Sequence, residues 1–255
     1  MKNMKRVIPI LLVDGGRLIK TIQFNKEIYL GDPLNTIKLF NDMMVDEIIV
    51  LDIKASIQGK KPDYTFIEQL ASECFMPVTY GGGISTIGQV KKILSLGIEK
   101  ISIQSAAFDN PDFITEISKN FGCQSVVVSI DVKKNFWGNS IVCTNRGRVQ
   151  KNKNIFEYIQ LFEAKGAGEF LINFIDRDGT FKGYDIPYIK QIADVAHVPV
   201  VACGGASDLG NIQTVFEKTH VSAAAAGSIF VFSDKKRGIL VNYPDPKNLD
   251  AICKR

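Results

Sequence analysis

No stretch of the 255 residues holds the roughly 18 consecutive apolar residues that a membrane-spanning helix needs, so no membrane role is expected. The N-terminal MKNMKRVIPILLV begins basic, but only Val7 to Val13 are apolar before Asp14-Gly15-Gly16, and no small-residue cleavage site follows. It reads as a first buried strand rather than a signal peptide. The five cysteines (Cys74, Cys123, Cys143, Cys203, Cys253) form no CxxC pair and are odd in number, which excludes a disulfide scaffold. A reducing, cytoplasmic compartment is expected. Histidine is scarce, with His197 and His220 alone, and no His/Cys/carboxylate group has metal-ligand spacing; neither a metal nor any other cofactor is expected. Charge of one sign is not in excess either. The net +4 is spread along the chain, so nucleic acid is not an expected partner, although phosphorylated small molecules remain open. Linkers and low-complexity segments are missing, so the chain has no obvious place to divide.

What is present is ordinary for a folded globule, with 45% hydrophobic and 23% charged residues. Short β-branched runs alternate with amphipathic segments. Strands are expected at Arg6–Val13, Glu47–Asp52, Pro77–Tyr80, Lys100–Gln104, Ser125–Asp131, Glu169–Phe174, Pro199–Cys203 and Val221–Ala226. Several are apolar almost throughout, as suits parallel strands buried on both faces. Helical spacing covers Ser85–Leu96, Pro111–Phe121, Ile155–Lys165 and Asp208–Lys218, with Ser85, Asn110 and Ser207 as N-caps and Gly97, Gly122 and Gly166 as stops. Eight strands alternating with helices in a chain of this length predict an α/β fold, a single-domain (β/α)8 TIM barrel. A doubly wound open sheet is the alternative.

An internal repeat sharpens the barrel reading. Gly82-Gly83 and Gly204-Gly205 each end a strand and open a helix, 122 positions apart; Ser105 and Gly227 follow the next strand at the same offset. Two fused half-barrels, approximately 1–122 and 123–255, explain this economically. The longest expected loops, Asp14–Asp32 and Val132–Asn152, follow the first and fifth strands, equivalent places in the two halves, where long loops usually serve a site.

Barrel chemistry sits at the C-terminal ends of the strands. Those positions hold Asp52, Gly82-Gly83, Gln104-Ser105, Asp131, Asn173, Asp178, Gly204-Gly205 and Gly227-Ser228. Glycine turns at helix N-termini offer free backbone N–H groups to phosphate, and one per half suits a substrate with a phosphate at each end. Asp131 ends an apolar strand, where general acid–base work is one reason for a carboxylate and a turn cap another. The repeat places Asp131 opposite Leu12, which cannot transfer a proton; Asp14 lies two residues further along. Cys203 reads as a small buried residue, and neither histidine is placed for catalysis. Phe136 and Trp137 either cover a bound ligand or pack their loop down.

GGGI at 81–84, VVVSIDVKK at 126–134, GAGE at 166–169, IDRDGT at 175–180, GYD at 183–185 and GGA at 204–206 run in an order and spacing that resemble the cyclase subunit of imidazole glycerol phosphate synthase, the HisF family, along essentially the whole chain. The resemblance implies a half-barrel repeat, a bisphosphorylated substrate, and ammonia delivered by a glutaminase subunit docked at the N-terminal face of the barrel. It implies two catalytic aspartates; Asp131 matches one, and Leu12 stands at the position of the other. Lys20 matches a loop lysine near the substrate, Gln104 stands where the family has asparagine, and Asn173 where it has threonine. Arg6, Glu47, Lys100 and Glu169 match all four members of the family's charged gate for ammonia.

A kept gate with half of the acid–base pair gone is similar to a subgroup of HisF-like paralogues associated with surface-polysaccharide synthesis, in which a separate sugar amidotransferase converts an acetamido to an acetamidino group. RVIPILLV at 6–13 and GILVNYP at 238–244 point the same way. The alternatives are a true cyclase of histidine biosynthesis and a phosphosugar isomerase of half-barrel design. The second of these would need neither glutaminase nor gate.

Overall fold

The computed structural model describes residues 5–253. Its strands are β1 (Arg6–Asp14), β2 (Arg17–Ile22), β3 (Lys26–Gly31), β4 (Ile48–Asp52), β5 (Val78–Gly81), β6 (Lys100–Ile103), β7 (Val126–Lys134), β8 (Ser140–Thr144), β9 (Val149–Gln150), β10 (Glu169–Phe174), β11 (Val200–Cys203) and β12 (Ala223–Ala226). Parallel pairing runs β1-β4-β5-β6-β7-β10-β11-β12 and closes where β12 pairs with β1, Arg6 lying opposite Ala223. This is a closed eight-stranded (β/α)8 barrel, and the open-sheet alternative is set aside by that closure.

Alternation along each strand divides the core in two. On β1, Val7 and Leu11 face the surrounding helices, while Ile8, Ile10 and Leu12 point into the barrel. The inner cluster also takes Ile49, Val127, Leu171 and Val201 from other strands. Branched side chains of this kind fill a barrel in layers, and each fully buried one contributes about 1.5–3 kcal/mol. Helices α1 (Pro33–Asp42), α2 (Tyr64–Glu73), α3 (Ile87–Ser95), α4 (Ser105–Asp109), α5 (Asp112–Phe121), α6 (Ile155–Ala164), α7 (Ile186–Val195), α8 (Leu209–Lys218), α9 (Ser228–Val231) and α10 (Pro246–Cys253) form the outer layer. None is long and apolar enough to cross a membrane.

Local chemistry moves several boundaries. Thr86, not Ser85, caps α3, because Gln89 returns its carboxamide to the Ser85 and Thr86 N–H groups and completes a capping box. Asp208, not Ser207, caps α8; Ser207 instead donates to the Asp208 carboxylate. Asn110 accepts from the Asp112 N–H one position before the α5 cap. Gly97, Gly122 and Gly166 follow α3, α5 and α6 at positive φ, as expected of helix stops.

The segments Asp14–Asp32 and Val132–Asn152 are not loops. Each is built largely of antiparallel strands: β2 and β3 continue from β1, while β8 and β9 continue from β7. Asp14-Gly15-Gly16 supplies the turn into β2, with both glycines at positive φ, and RLIKTI is buried from Leu18 to Thr21. Both extensions stand at the C-terminal end of the barrel.

Candidate functional site

At the N-terminal end, Arg6, Lys100 and Glu169 open their strands and Glu47 immediately precedes β4. Their side chains close into a ring. The Arg6 guanidinium bonds both Glu47 and Glu169, and the Lys100 ammonium lies 3.2 Å from Glu47 and 2.9 Å from Glu169. Each cation therefore bridges both carboxylates. The glutamates are buried and the cations part-exposed, which neutralises two carboxylates that would otherwise be costly to desolvate.

Above the ring the barrel interior has two characters. One side is the apolar cluster that includes Ile8, Ile49 and Leu171. On the other, Ser102 of β6 and Ser129 of β7 share a 2.6 Å hydrogen bond between their hydroxyls. One further step along the same strands brings Gln104 and Asp131, joined at 2.7 Å by a bond from the Gln104 amide to the carboxylate.

Asp131 is buried at the mouth, where desolvation pushes its carboxyl up to about 7 against the pull of the Gln104 bond, with Asp178 adding to the rise and Asn173 opposing it. Asn173 lies beside it in register across β7 and β10, with its carbonyl oxygen unpartnered. Leu12 lines the same cavity and belongs to the apolar cluster. Asp14 does not stand in for it. Its carboxylate is held by Lys54 at 2.8 Å and Arg17 at 3.0 Å, bonds that lower its affinity for a proton, and it is not part of the cavity lining. Cys203 is buried in the wall, and desolvation takes its thiol up to about 12, so it carries no reactive thiolate at neutral pH.

The cleft measures about 1050 Å³ including the part open to solvent. Asp52, Gly82, Gly83 and Ser105 line it on one side, Lys20, Asn173 and Asp178 on another. Asp52 accepts from the N–H groups of Lys54 and Ala55, which caps its turn, and packs so close that a Cβ on Gly82 would sit 2.5 Å from its carbonyl. Gly82 and Gly83 have positive φ, and the Gly83 N–H donates to the Ser56 hydroxyl at 3.2 Å. Gly204, Gly205, Gly227 and Ser228 are buried and do not line the cleft; there the Ser228 hydroxyl has no hydrogen-bond partner.

Lys20 and Asp178 meet directly. Their buried salt bridge is 2.9 Å long, and Asp178 also accepts from the Thr21 hydroxyl at 2.9 Å, which docks the β2–β3 hairpin onto the turn after β10. Sequence reasoning missed Phe24, Asn145 and Arg146. Asn145 accepts from Ser105 at 3.1 Å, and Arg146 donates to the Phe24 carbonyl and to Glu27, tying the two hairpins together over the mouth. The signal was an Asn-Arg-Gly turn, with Asn145 and Arg146 both left-handed, where Asn-Gly is the favoured pair. Phe136 and Trp137 neither cover the cleft nor pack their segment down; they are 95% and 80% exposed at the β7–β8 tip. His197 and His220 pair on the outside with Glu163 and Asp194.

With this geometry in place, the chain can be set beside known proteins. The family described as "Histidine biosynthesis protein" matches residues 6–236. A Pseudomonas aeruginosa protein named "Putative imidazole glycerol phosphate synthase subunit hisF2" is 48% identical over 247 residues, which is 97% of this chain and 98% of that protein. A similarly named hisF3 of Vibrio vulnificus is 44% identical over 242 residues, covering 94% of this chain and 93% of its own. A HisF of Leptospira interrogans, named in the same form, is 41% identical over 248 residues, 97% and 98% of the two chains.

Proposed function

The chain belongs to the histidine biosynthesis protein family, and from that membership we propose that it is the barrel subunit of a cytoplasmic glutamine amidotransferase that takes ammonia from a glutaminase and hands it on. The glutaminase docks at the N-terminal face, around the ring of Arg6, Glu47, Lys100 and Glu169. Exposed Met44 and Phe75, four and three residues before β4 and β5, favour an interface there. Ammonia crosses the ring and follows the Ser102–Ser129 side toward Gln104 and Asp131. The acceptor is a sugar amidotransferase that forms an acetamidino group for surface polysaccharide.

The observation that carries this reading is Leu12. A ring-closing lyase reaction needs proton removal and proton donation at one bound substrate, and two groups divide that work. Asp131 has the Gln104 and Asn173 amides beside it, the nearby Asp178 carboxylate is committed to Lys20 and Thr21, Leu12 is apolar, and Asp14 is committed to Lys54 and Arg17. A gate kept without the second carboxylate fits a conductor better than a cyclase. A phosphosugar isomerase is disfavoured by the same leucine and has no use for the ring.

Phosphorylated small molecules remain part of the reading, at Gly82, Gly83 and Ser105 in one half and at Gly204, Gly205, Gly227 and Ser228 in the other, consistent with two half-barrel repeats of about 1–122 and 123–255. Lys20 and Asp178 close the mouth between them, and Asp52 and Asn173 complete its wall. The unpartnered Ser228 hydroxyl supports an oxygen-rich ligand at the second cradle.

A cyclase of histidine biosynthesis is the second reading, favoured by the burial of Asp131, which pushes its carboxyl up to about 7, a range that suits general acid–base work. Ammonia-dependent turnover of the histidine-pathway substrate at alkaline pH separates the two. Loss of one of two acid–base groups costs about 10²- to 10⁴-fold, so turnover is expected that far below a two-aspartate enzyme, with Leu12→Asp raising it. Near-normal turnover by the wild-type protein overturns the conducting reading.

A further inference from the structure

We propose that the β7–β8–β9 arm is the docking element for the protein that receives ammonia at the mouth, and that this acceptor meets it with a carboxylate-rich surface holding a pocket for Phe136 and Trp137. The inference rests on the conducting role proposed above and adds where the acceptor binds and with what chemistry.

The arm is unlike the rest of the chain in charge. Residues 132–154 contain Lys133, Lys134, Arg146, Arg148, Lys151 and Lys153 and no Asp or Glu. Lys134, Arg146 and Lys151 pair with Asp185, Glu27 and Asp109 of neighbouring segments, which leaves the exposed Lys133, Arg148 and Lys153 for a partner. At its tip the two aromatic rings stand in water, 95% and 80% exposed, packed edge to face on each other at 5.6 Å as one knob. The tip is stiff. The Asn135 carboxamide accepts from the N–H groups of Trp137 and Asn139, Asn135 N–H bonds the Asn139 carbonyl, and Gly138 closes the turn at positive φ. A preorganised aromatic knob gives up little conformational freedom on binding, and Trp is enriched among the residues that dominate interfaces.

The knob is continuous with the site. Phe136 lies five residues beyond Asp131 on the same ribbon, about 17 Å at the rise of a β-strand. The returning strand β8 leads to the Asn145–Arg146 turn that lines the cleft. A partner seated on the arm therefore covers the mouth, which a small neutral molecule such as ammonia needs if it is not to escape into water. A lipid surface would also attract cations and aromatics, but it neither accepts ammonia nor calls for two rings packed as one projecting body. The excess of cations selects an acidic protein surface.

The experiment uses the purified full-length barrel, its glutaminase and the purified acetamido-sugar amidotransferase, with a photo-crosslinking residue in place of Trp137. Crosslinking to the amidotransferase is expected. Phe136→Ala/Trp137→Ala is expected to weaken that affinity at least tenfold, and Lys133→Glu/Arg148→Glu to weaken it comparably and flatten its salt dependence, with glutaminase affinity unchanged. All four side chains are exposed, and matching thermal unfolding curves would confirm the folds. Wild-type affinity in both variants overturns the docking proposal and leaves the conducting role standing. Loss of co-sedimentation with phosphatidylglycerol vesicles at unchanged amidotransferase affinity also overturns it, in favour of a lipid surface. No affinity of the wild-type barrel for the amidotransferase, with near-normal cyclase turnover, removes the conducting role and the docking proposal together.

Discussion

Asp131 holds its proton through a range in which an exposed aspartate has lost it, because burial raises the carboxyl to about 7. The unfolded chain ionises the same group near 4. Below about pH 4 both states carry the proton, and the residue leaves stability unchanged. Between about 4 and 7 the unfolded chain releases it while the folded one keeps it, so stability falls as pH rises and levels off above 7. The linkage amounts to about 4 kcal/mol if the whole shift is expressed. Asp131→Asn keeps the shape and removes the charge. Urea unfolding at pH 4.5, 6 and 8 is expected to show the variant gaining on the wild type as pH rises and more stable than it at pH 8; parallel curves for the two proteins would contradict the buried titration.

Among the elements, the joint between α6 and β10 is the tightest. Gly168 donates to the Val126 carbonyl, and a Cβ there would lie 1.9 Å from the carbonyl oxygen of Cys123. No side-chain rotation relieves a clash with backbone, so Gly168→Ala must displace the turn that leads into β7, the strand bearing Asp131. The expected cost is about 3 kcal/mol, the upper end of overpacking. Gly88→Ala is the matched control. It lies in α3 with open space around it and is expected to stabilise by about 0.5–1 kcal/mol. Thermal unfolding of the pair should move the midpoints in opposite directions. The hairpins obey a different logic: Lys20 with Asp178, and Arg146 with Phe24 and Glu27, are polar ties that position the mouth.

For the whole molecule, the closed barrel makes one axis of a ring, an interior and a mouth. The ring is balanced as a unit. Removing Lys100 leaves Glu47 and Glu169 sharing Arg6 alone, with one carboxylate charge uncompensated. Because Lys100 is part-exposed, Lys100→Ala is expected to cost only about 1–3 kcal/mol and leave the eight strands closed. On the conducting reading it alters the passage of ammonia. In the reconstituted complex, the ratio of glutamate released to amidated product is expected to depart from the wild-type value. A ratio unchanged across alanine substitutions of all four ring residues would mean that they only close the barrel floor.

The residues alone determined an α/β fold of eight buried parallel strands and favoured a barrel; the pairing of β12 with β1 decided that it closes. Runs such as Ile48-Ile49-Val50 and Val126-Val127-Val128 are apolar on both faces, and only a strand covered on both sides buries them. They also determined which positions end strands, and so put Asp131, Gly82 and Gly83 at one end of the barrel and Arg6, Glu47, Lys100 and Glu169 at the other. Local alternation and turn chemistry suffice for that, although the Asp14-Gly15-Gly16 turn shows that a hairpin can be mistaken for a loop. Which side chains meet was left to the tertiary structure. Lys20 and Asp178 are 158 positions apart, Arg6 and Glu169 163, and nothing local to either partner names the other. Ring closure, the burial that lifts the Asp131 carboxyl and the exposure of Phe136 and Trp137 depend on how the strands curl and what packs above them, because desolvation and long-range pairing belong to the assembled barrel rather than to any segment of it.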